Sequence, residues 1–191
     1  MSDLDPNLVH LFGHREMLAL DGRHRFRLPD EVARSLEHEL GRLSGKSNLP
    51  PAAFQRLAFY FVPGTIGRIF VFPTANINVA IGRFENPPPG QDPAQIRAAR
   101  DYFFSMMCFV EADRQNRVQI PEDLLLKHAG IKADDKQIVL VCHDLWMAIS
   151  SEQAAKEEQA RGREAFEAVG QNVLDPVFGS SSVKGEKEES C

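Results

Sequence analysis

The sequence predicts an α+β fold: a pseudo-two-fold β-barrel of interleaved strands with short helices around it. Three observations predict it. Residues 20–29, "LDGRHRFRLP", and residues 112–121, "ADRQNRVQIP", carry Asp, Arg and Pro at the same spacing, so Asp21, Arg25 and Pro29 correspond to Asp113, Arg117 and Pro121. Each copy is followed by the same order of patterns: a Pro-led helix, an apolar hairpin and a further helix. Each copy is also too small to bury a core alone, so the two must pack on one another.

The elements follow in order. In "LALDGRHRFRLP" (18–29) the polar interruption at 21–25 reads as a turn between two short strands. "PDEVARSLEHEL" opens on Pro29 with two acids in its first turn, both favourable at a helix N-terminus, and Val32, Leu36 and Leu40 recur on one face. "GRLSGKSNLPP" (41–51) reads as a loop, and "FQRLAFYFVPGTIGRIFVFP" as two core strands around a Gly-bearing hairpin turn. "NPPPGQDP" is too rich in Pro for a regular element. Asp92 is placed to N-cap a helix with Pro93 at its first position.

The second half repeats the frame. "CFVEADRQNRVQIP" is strand, turn and strand, and "PEDLLLKHAGI" is a short helix closed by Gly130. "QIVLVCHDLWMAIS" is two strands around a turn at His143 and Asp144; Ser150 with Gln153 then forms a capping box for "SEQAAKEEQARGREAFEAVG". The final "GSSSVKGEKEESC" has the composition of a disordered acidic tail. The predicted organisation is a first half at 8–86, a linker and helix start at 87–100, a second half at 101–153, and a C-terminal helix and tail at 154–191.

Composition sets the class. Hydrophobic residues make up 43% and charged residues 26% of 191, as in globular proteins. No apolar run approaches the roughly 20 residues that span a bilayer, so no membrane partner is expected. Three widely spaced cysteines and the acidic N-terminus "MSDLDPNLVH" point to a reducing cytoplasm. The net charge of −5 is concentrated at the end: residues 151–191 hold nine acidic and five basic side chains. The remaining chain is nearly neutral and can present a basic face.

The repeated turn supplies the candidate site. An Asp at a strand end accepts hydrogen bonds from backbone N–H groups two or so residues on, which makes Asp21 and Asp113 structural. The Arg that follows each, Arg25 and Arg117, leaves the turn near its exposed tip, where a planar donor fork suits a phosphate or a guanine edge. Arg23, Arg25 and Arg27 alternate and so share one face of a strand. Three like charges side by side repel, and their grouping reads either as a solvated strand face or as an anion-binding ribbon. Arg114, Gln115 and Arg117 make a weaker equivalent.

On "LDGRHRFRLP", "EADRQNRVQIPEDLLLKHAGI" and "KQIVLVCHDLWMAIS", the chain resembles the MraZ family of bacterial transcriptional regulators. The likeness runs from about "LFGHREMLAL" to residue 153. It implies a duplicated AbrB-like swapped-hairpin barrel, a ring-forming homo-oligomer and binding of double-stranded DNA at direct-repeat boxes of a division and cell-wall gene cluster. It also implies nucleoid association and DNA contact through Arg25 and Arg117, with Arg23 and Gln115 on the same tips. The family usually has Gly before each motif Arg; this chain has His24 and Asn116, residues that tolerate a positive φ better than most. "NINVAIGRFENPPPG" stands where the family's helix after the first hairpin would lie.

The expected function is thus a sequence-specific DNA-binding transcriptional regulator or repressor and not an enzyme, with no cofactor, metal or small-molecule substrate. The alternative is a protein-interaction barrel that has lost DNA binding. A cysteine hydrolase using Cys142 and His143 lacks an orienting third group, and His10 with His14 lacks a third metal ligand. Cys108 and "AFYFV" read as core, and no phosphate-cradling Gly-rich motif occurs.

Overall fold

A computed structural model of the protein describes residues 8–178, except 12, 45–55, 65–66 and 133; side chains are described as far as 167, residue 44 excepted. The architecture is α+β. The strands are β1 (His14–Ala19), β2 (Arg25–Arg27), β3 (Ala58–Pro63), β4 (Arg68–Pro73), β5 (Cys108–Glu111), β6 (Arg117–Gln119), β7 (Gln137–Cys142) and β8 (Met147–Ser150). The helices are α1 (Asp30–Ser44), α2 (Ile77–Glu85), α3 (Pro93–Met106), α4 (Glu122–His128) and α5 (Glu152–Phe178). Contacts divide the chain into a body, Met1–Ala155, and a C-terminal unit, Lys156–Cys191.

Six strands form one antiparallel sheet in the order β1-β7-β8-β4-β3-β5. The order is symmetric about its centre: the hairpin of each half pairs with the first strand of the other, and the two hairpins meet where β4 lies beside β8. The halves therefore interleave, as their size requires. The sheet does not close into a barrel, because β1 and β5 remain its edges. The reason is local. Each edge strand runs into a turn and leaves it as β2 or β6, and these two pair only with each other, as a separate ribbon.

The ribbon nevertheless seals the core. Phe26, Leu28, Val118 and Ile120 join Leu18, Leu36, Phe59, Phe61, Ile69, Leu125, Ile138 and Leu140 in the main buried cluster. Strand alternation sends the intervening residues to the opposite face, where Val62, Phe72, Ile77 and Phe103 form a second cluster with Tyr60, Phe70, Phe84, Phe104 and Trp146 against it. Burial on both faces explains why β3 and β4 read as continuous apolar runs.

Local signals place the helix ends. The Asp92 carboxylate accepts from the Ala94 N–H at 2.9 Å, with Pro93 in the first turn. Gly130 closes α4 at φ 61°. Gly64 is required by close approach, since a Cβ there would lie 2.7 Å from the Arg68 carbonyl oxygen. Three expectations change. α1 continues to Ser44 because Leu43 extends its buried face, so only 45–51 of the expected loop remain, outside the described residues. The residue capping α5 is Ser151, whose Oγ accepts from the Ala154 N–H at 3.2 Å; Ser150 is buried within β8. Residues 77–85 form α2, which with α3 covers the second cluster. The expected tail at 179–191 lies outside the described residues.

A buried amide that the sequence reading passed over ties the segment before β1 to the sheet. Asn76 is fully buried; its Oδ1 accepts from the Val9 N–H at 2.8 Å, and its Nδ2 donates to the carbonyls of Val9 and Leu145 at 2.6 and 2.9 Å. One side chain thus satisfies three backbone groups from two other segments. Asn76→Ala is expected to cost about 2–4 kcal/mol, because the buried partners it strands carry their desolvation penalty; a lowered denaturant midpoint at unchanged slope is the check.

Candidate nucleic-acid interface

Both turns have the same construction. Oδ1 of Asp21 accepts from the N–H groups of Arg23 (2.9 Å) and Arg25 (3.0 Å); Oδ1 of Asp113 accepts from those of Gln115 (2.8 Å) and Arg117 (3.0 Å). Backbone bonds close the frame, with the Asp21 N–H donating to the Arg25 carbonyl and the Asp113 N–H to the Arg117 carbonyl, each at 2.9 Å. So tight a reversal needs one left-handed residue. His24 and Asn116 fill that place, each at φ 55°, in the position where the resemblance would put glycine.

The carboxylates also hold the arginines. Arg25 Nε and Nη2 donate to Asp21 Oδ2 at 2.8 and 2.7 Å, and Arg117 Nε donates to Asp113 Oδ2 at 2.7 Å. Arg25 Nη1 further lies 4.0 Å from Asp113 Oδ2, linking the two turns. The Arg25 guanidinium lowers the Asp21 pKa far below the usual carboxylate range, and Arg25 is raised in return. The backbone N–H of Arg117 and its guanidinium bring Asp113 down to about 2. Arg25 and Arg117 are therefore not free guanidiniums at an exposed tip; they are 23% and 36% exposed and braced against their own turns.

The ribbon fixes where the remaining groups point. Arg25 lies opposite Gln119, Phe26 opposite Val118, and Arg27 opposite Arg117. The Leu28 N–H donates to the Asn116 carbonyl and the Ile120 N–H to the His24 carbonyl. The 25/119 and 27/117 pairs are thus the closely spaced, non-hydrogen-bonded ones. With Phe26 and Val118 buried, Arg25, Arg27, Arg117 and Gln119 share the outward face. Arg27 Nη2 meets Asp30 Oδ1 at 2.9 Å and is 66% exposed. Arg23, Arg114 and Gln115 are exposed, and the side chains of Arg23 and Arg114 make no ion pair among the described residues.

Two participants escaped the sequence reading. Gln119 belongs to the outward face, which the alternation Arg117-Val118-Gln119, parallel to Arg25-Phe26-Arg27, could have signalled. Asp30 was read only as a helix-terminal acid, yet it also holds Arg27.

The other candidates separate in space. Cys142 is buried in the main cluster, where burial pushes its thiol up to about 11, while His143 stacks on Trp146 at 5.3 Å on the opposite side. Cys142 lies instead across the sheet from His14, whose Nε2 meets Glu16 at 2.9 Å. His10 Nδ1 contacts Asp144 Oδ1 at 2.8 Å, so His10 and His14 have different partners. Among the described residues no group of three or more His, Cys, Asp or Glu is arranged to hold a metal ion, and no helix is long and apolar enough to cross a membrane. No protein-family model matches the chain, and no curated protein matches it.

Two outcomes follow from the turns. Since the folded Asp113 pKa lies below the unfolded value of about 3.9, its contribution is full above that value and is lost as pH falls towards 2. Unfolding free energy measured by denaturant should therefore drop across that window, and Asp113→Asn should flatten the drop. His24→Gly should stabilise the protein by about 0.5–1 kcal/mol, as relief of the left-handed strain outweighs the added chain entropy; thermal melting checks the sign.

Proposed function

We propose that this chain is a sequence-specific DNA-binding transcriptional regulator of the kind its resemblance to the MraZ family implies. In this reading its two interleaved halves are AbrB-like swapped hairpins. It acts as a homo-oligomeric repressor on direct-repeat boxes upstream of a division and cell-wall gene cluster. The observation that carries the proposal is the outward face of the ribbon. Residues 21–28 and 113–120 hold five arginines against two aspartates, in a chain of net charge −5. Arg27 stands directly opposite Arg117, a like-charge pairing that sheet formation disfavours.

An anionic ligand accounts for that arrangement, and a two-stranded ribbon fits the major groove of B-DNA. The Asp-held arginines keep the face rigid, and the unpaired Arg23 and Arg114 supply contact at its ends. One protomer offers few contacts, so affinity comes from linking several protomers along one duplex.

A second reading, a protein-interaction module without DNA binding, is favoured by a specific observation: Arg25, Arg27 and Arg117 each already have a carboxylate partner. Salt dependence separates the two. On a duplex selected from random sequence, affinity should fall log-linearly with salt, and Arg114→Ala should reduce that slope by about 1 without changing the melting temperature. Absence of binding to any duplex at low salt would sink the regulator reading.

A further inference from the structure

The two turns share a backbone frame but not a chemistry. Matched residue by residue, Asp21 corresponds to Asp113, Arg25 to Arg117, and the left-handed His24 to Asn116, with equivalent hydrogen bonds throughout. The outward tip positions differ: Arg23 corresponds to Gln115 and Gly22 to Arg114. The antiparallel register puts the tips at opposite ends of the ribbon, one beyond the Arg25/Gln119 pair and the other beyond the Arg27/Arg117 pair.

Each tip can therefore pair with a different base. At the first, Arg23 stands beside Gly22, where even a Cβ would meet nothing within 4 Å, so the backbone can come close to a groove floor. A guanidinium presented there donates twice, which matches O6 and N7 of guanine. At the second, Gln115 presents a carboxamide, a donor beside an acceptor, which matches N6 and N7 of adenine. Arg114 stands beside it and supplies the charge that a neutral amide lacks.

Resting on the DNA-binding reading above, we infer that the ribbon is a directional reader: Arg23 selects a guanine at one end of the box and Gln115 an adenine at the other. Arg23 and Gln115 each lie one residue beyond His24 and Asn116, which are themselves four residues apart along the ribbon, about 13 Å at 3.3 Å per residue. The two readers therefore stand at least about four base-pair steps of 3.4 Å apart. Because the tips differ, one protomer's box cannot be a palindrome, and successive protomers in the same orientation repeat it head to tail.

The experiment is selection from a duplex library with a randomised core, using the full-length wild type, Arg23→Gln, Gln115→Arg and the double exchange. Both positions are exposed, and circular dichroism melts confirm that each variant folds. The wild type should enrich a guanine and an adenine at least about four pairs apart, each preferred roughly 5- to 150-fold over the wrong base. Arg23→Gln should convert the guanine preference to adenine, Gln115→Arg the reverse, and the double exchange should invert the box. Enrichment in the wild type of a palindrome, or of preferences that the exchanges leave unchanged, overturns the inference while DNA binding itself stands. No enrichment of any duplex by the wild type removes the underlying reading and this inference with it.

Discussion

The structure depends on two carboxylates that each hold their own turn closed. An aspartate at the end of an edge strand accepts two backbone N–H groups through one oxygen and a guanidinium through the other. This arrangement forces a left-handed residue just before the arginine and sends the chain out as a ribbon strand. Because both turns do the same, the two outgoing strands meet antiparallel, and their inward residues Phe26, Leu28, Val118 and Ile120 complete the main core. Loss of either turn would remove ribbon pairing and core closure together, because the same few residues supply both.

Under the proposed DNA-binding reading, that dependence gives the motif arginines two duties that compete for the same atoms. A guanidinium spent on its own carboxylate is rigid and well placed, but has fewer donors left for a ligand. The chain divides the work between neighbouring positions. Arg25 and Arg117 brace the turns, while Arg23, Arg114 and Gln115 extend beyond them with side chains that the fold does not use. An outward face with a neutralised centre and charged ends favours approach to an anion at the tips.

The other side of the sheet is governed by apolar burial. Tyr60, Phe70, Phe72, Phe84, Phe103, Phe104 and Trp146 gather there in tilted and edge-on contacts, the nearest ring centroids 5.0 Å apart between Phe84 and Phe103. α2 and α3 cover this face, and the hydrogen bond between Tyr102 and His128 joins α3 to α4. α2 and α3 thus lie on this face, while α1 and α4 pack with the ribbon on the main cluster.

By itself the sequence determined what local chemistry and periodicity control. The repeated Asp-x-x-x-Arg frame, the amphipathic stripe of Val32, Leu36 and Leu40, the Asp92 cap and the Gly130 stop each act within a few residues, so each is written in adjacent letters. Tertiary structure decided the rest. Whether the sheet closes and which amide catches Val9 both depend on segments far apart in the chain. Which residue faces Arg117 across the ribbon depends on the register of a pairing three residues long. Contact between distant residues is set by the packing of whole elements, and no short window of sequence carries that information.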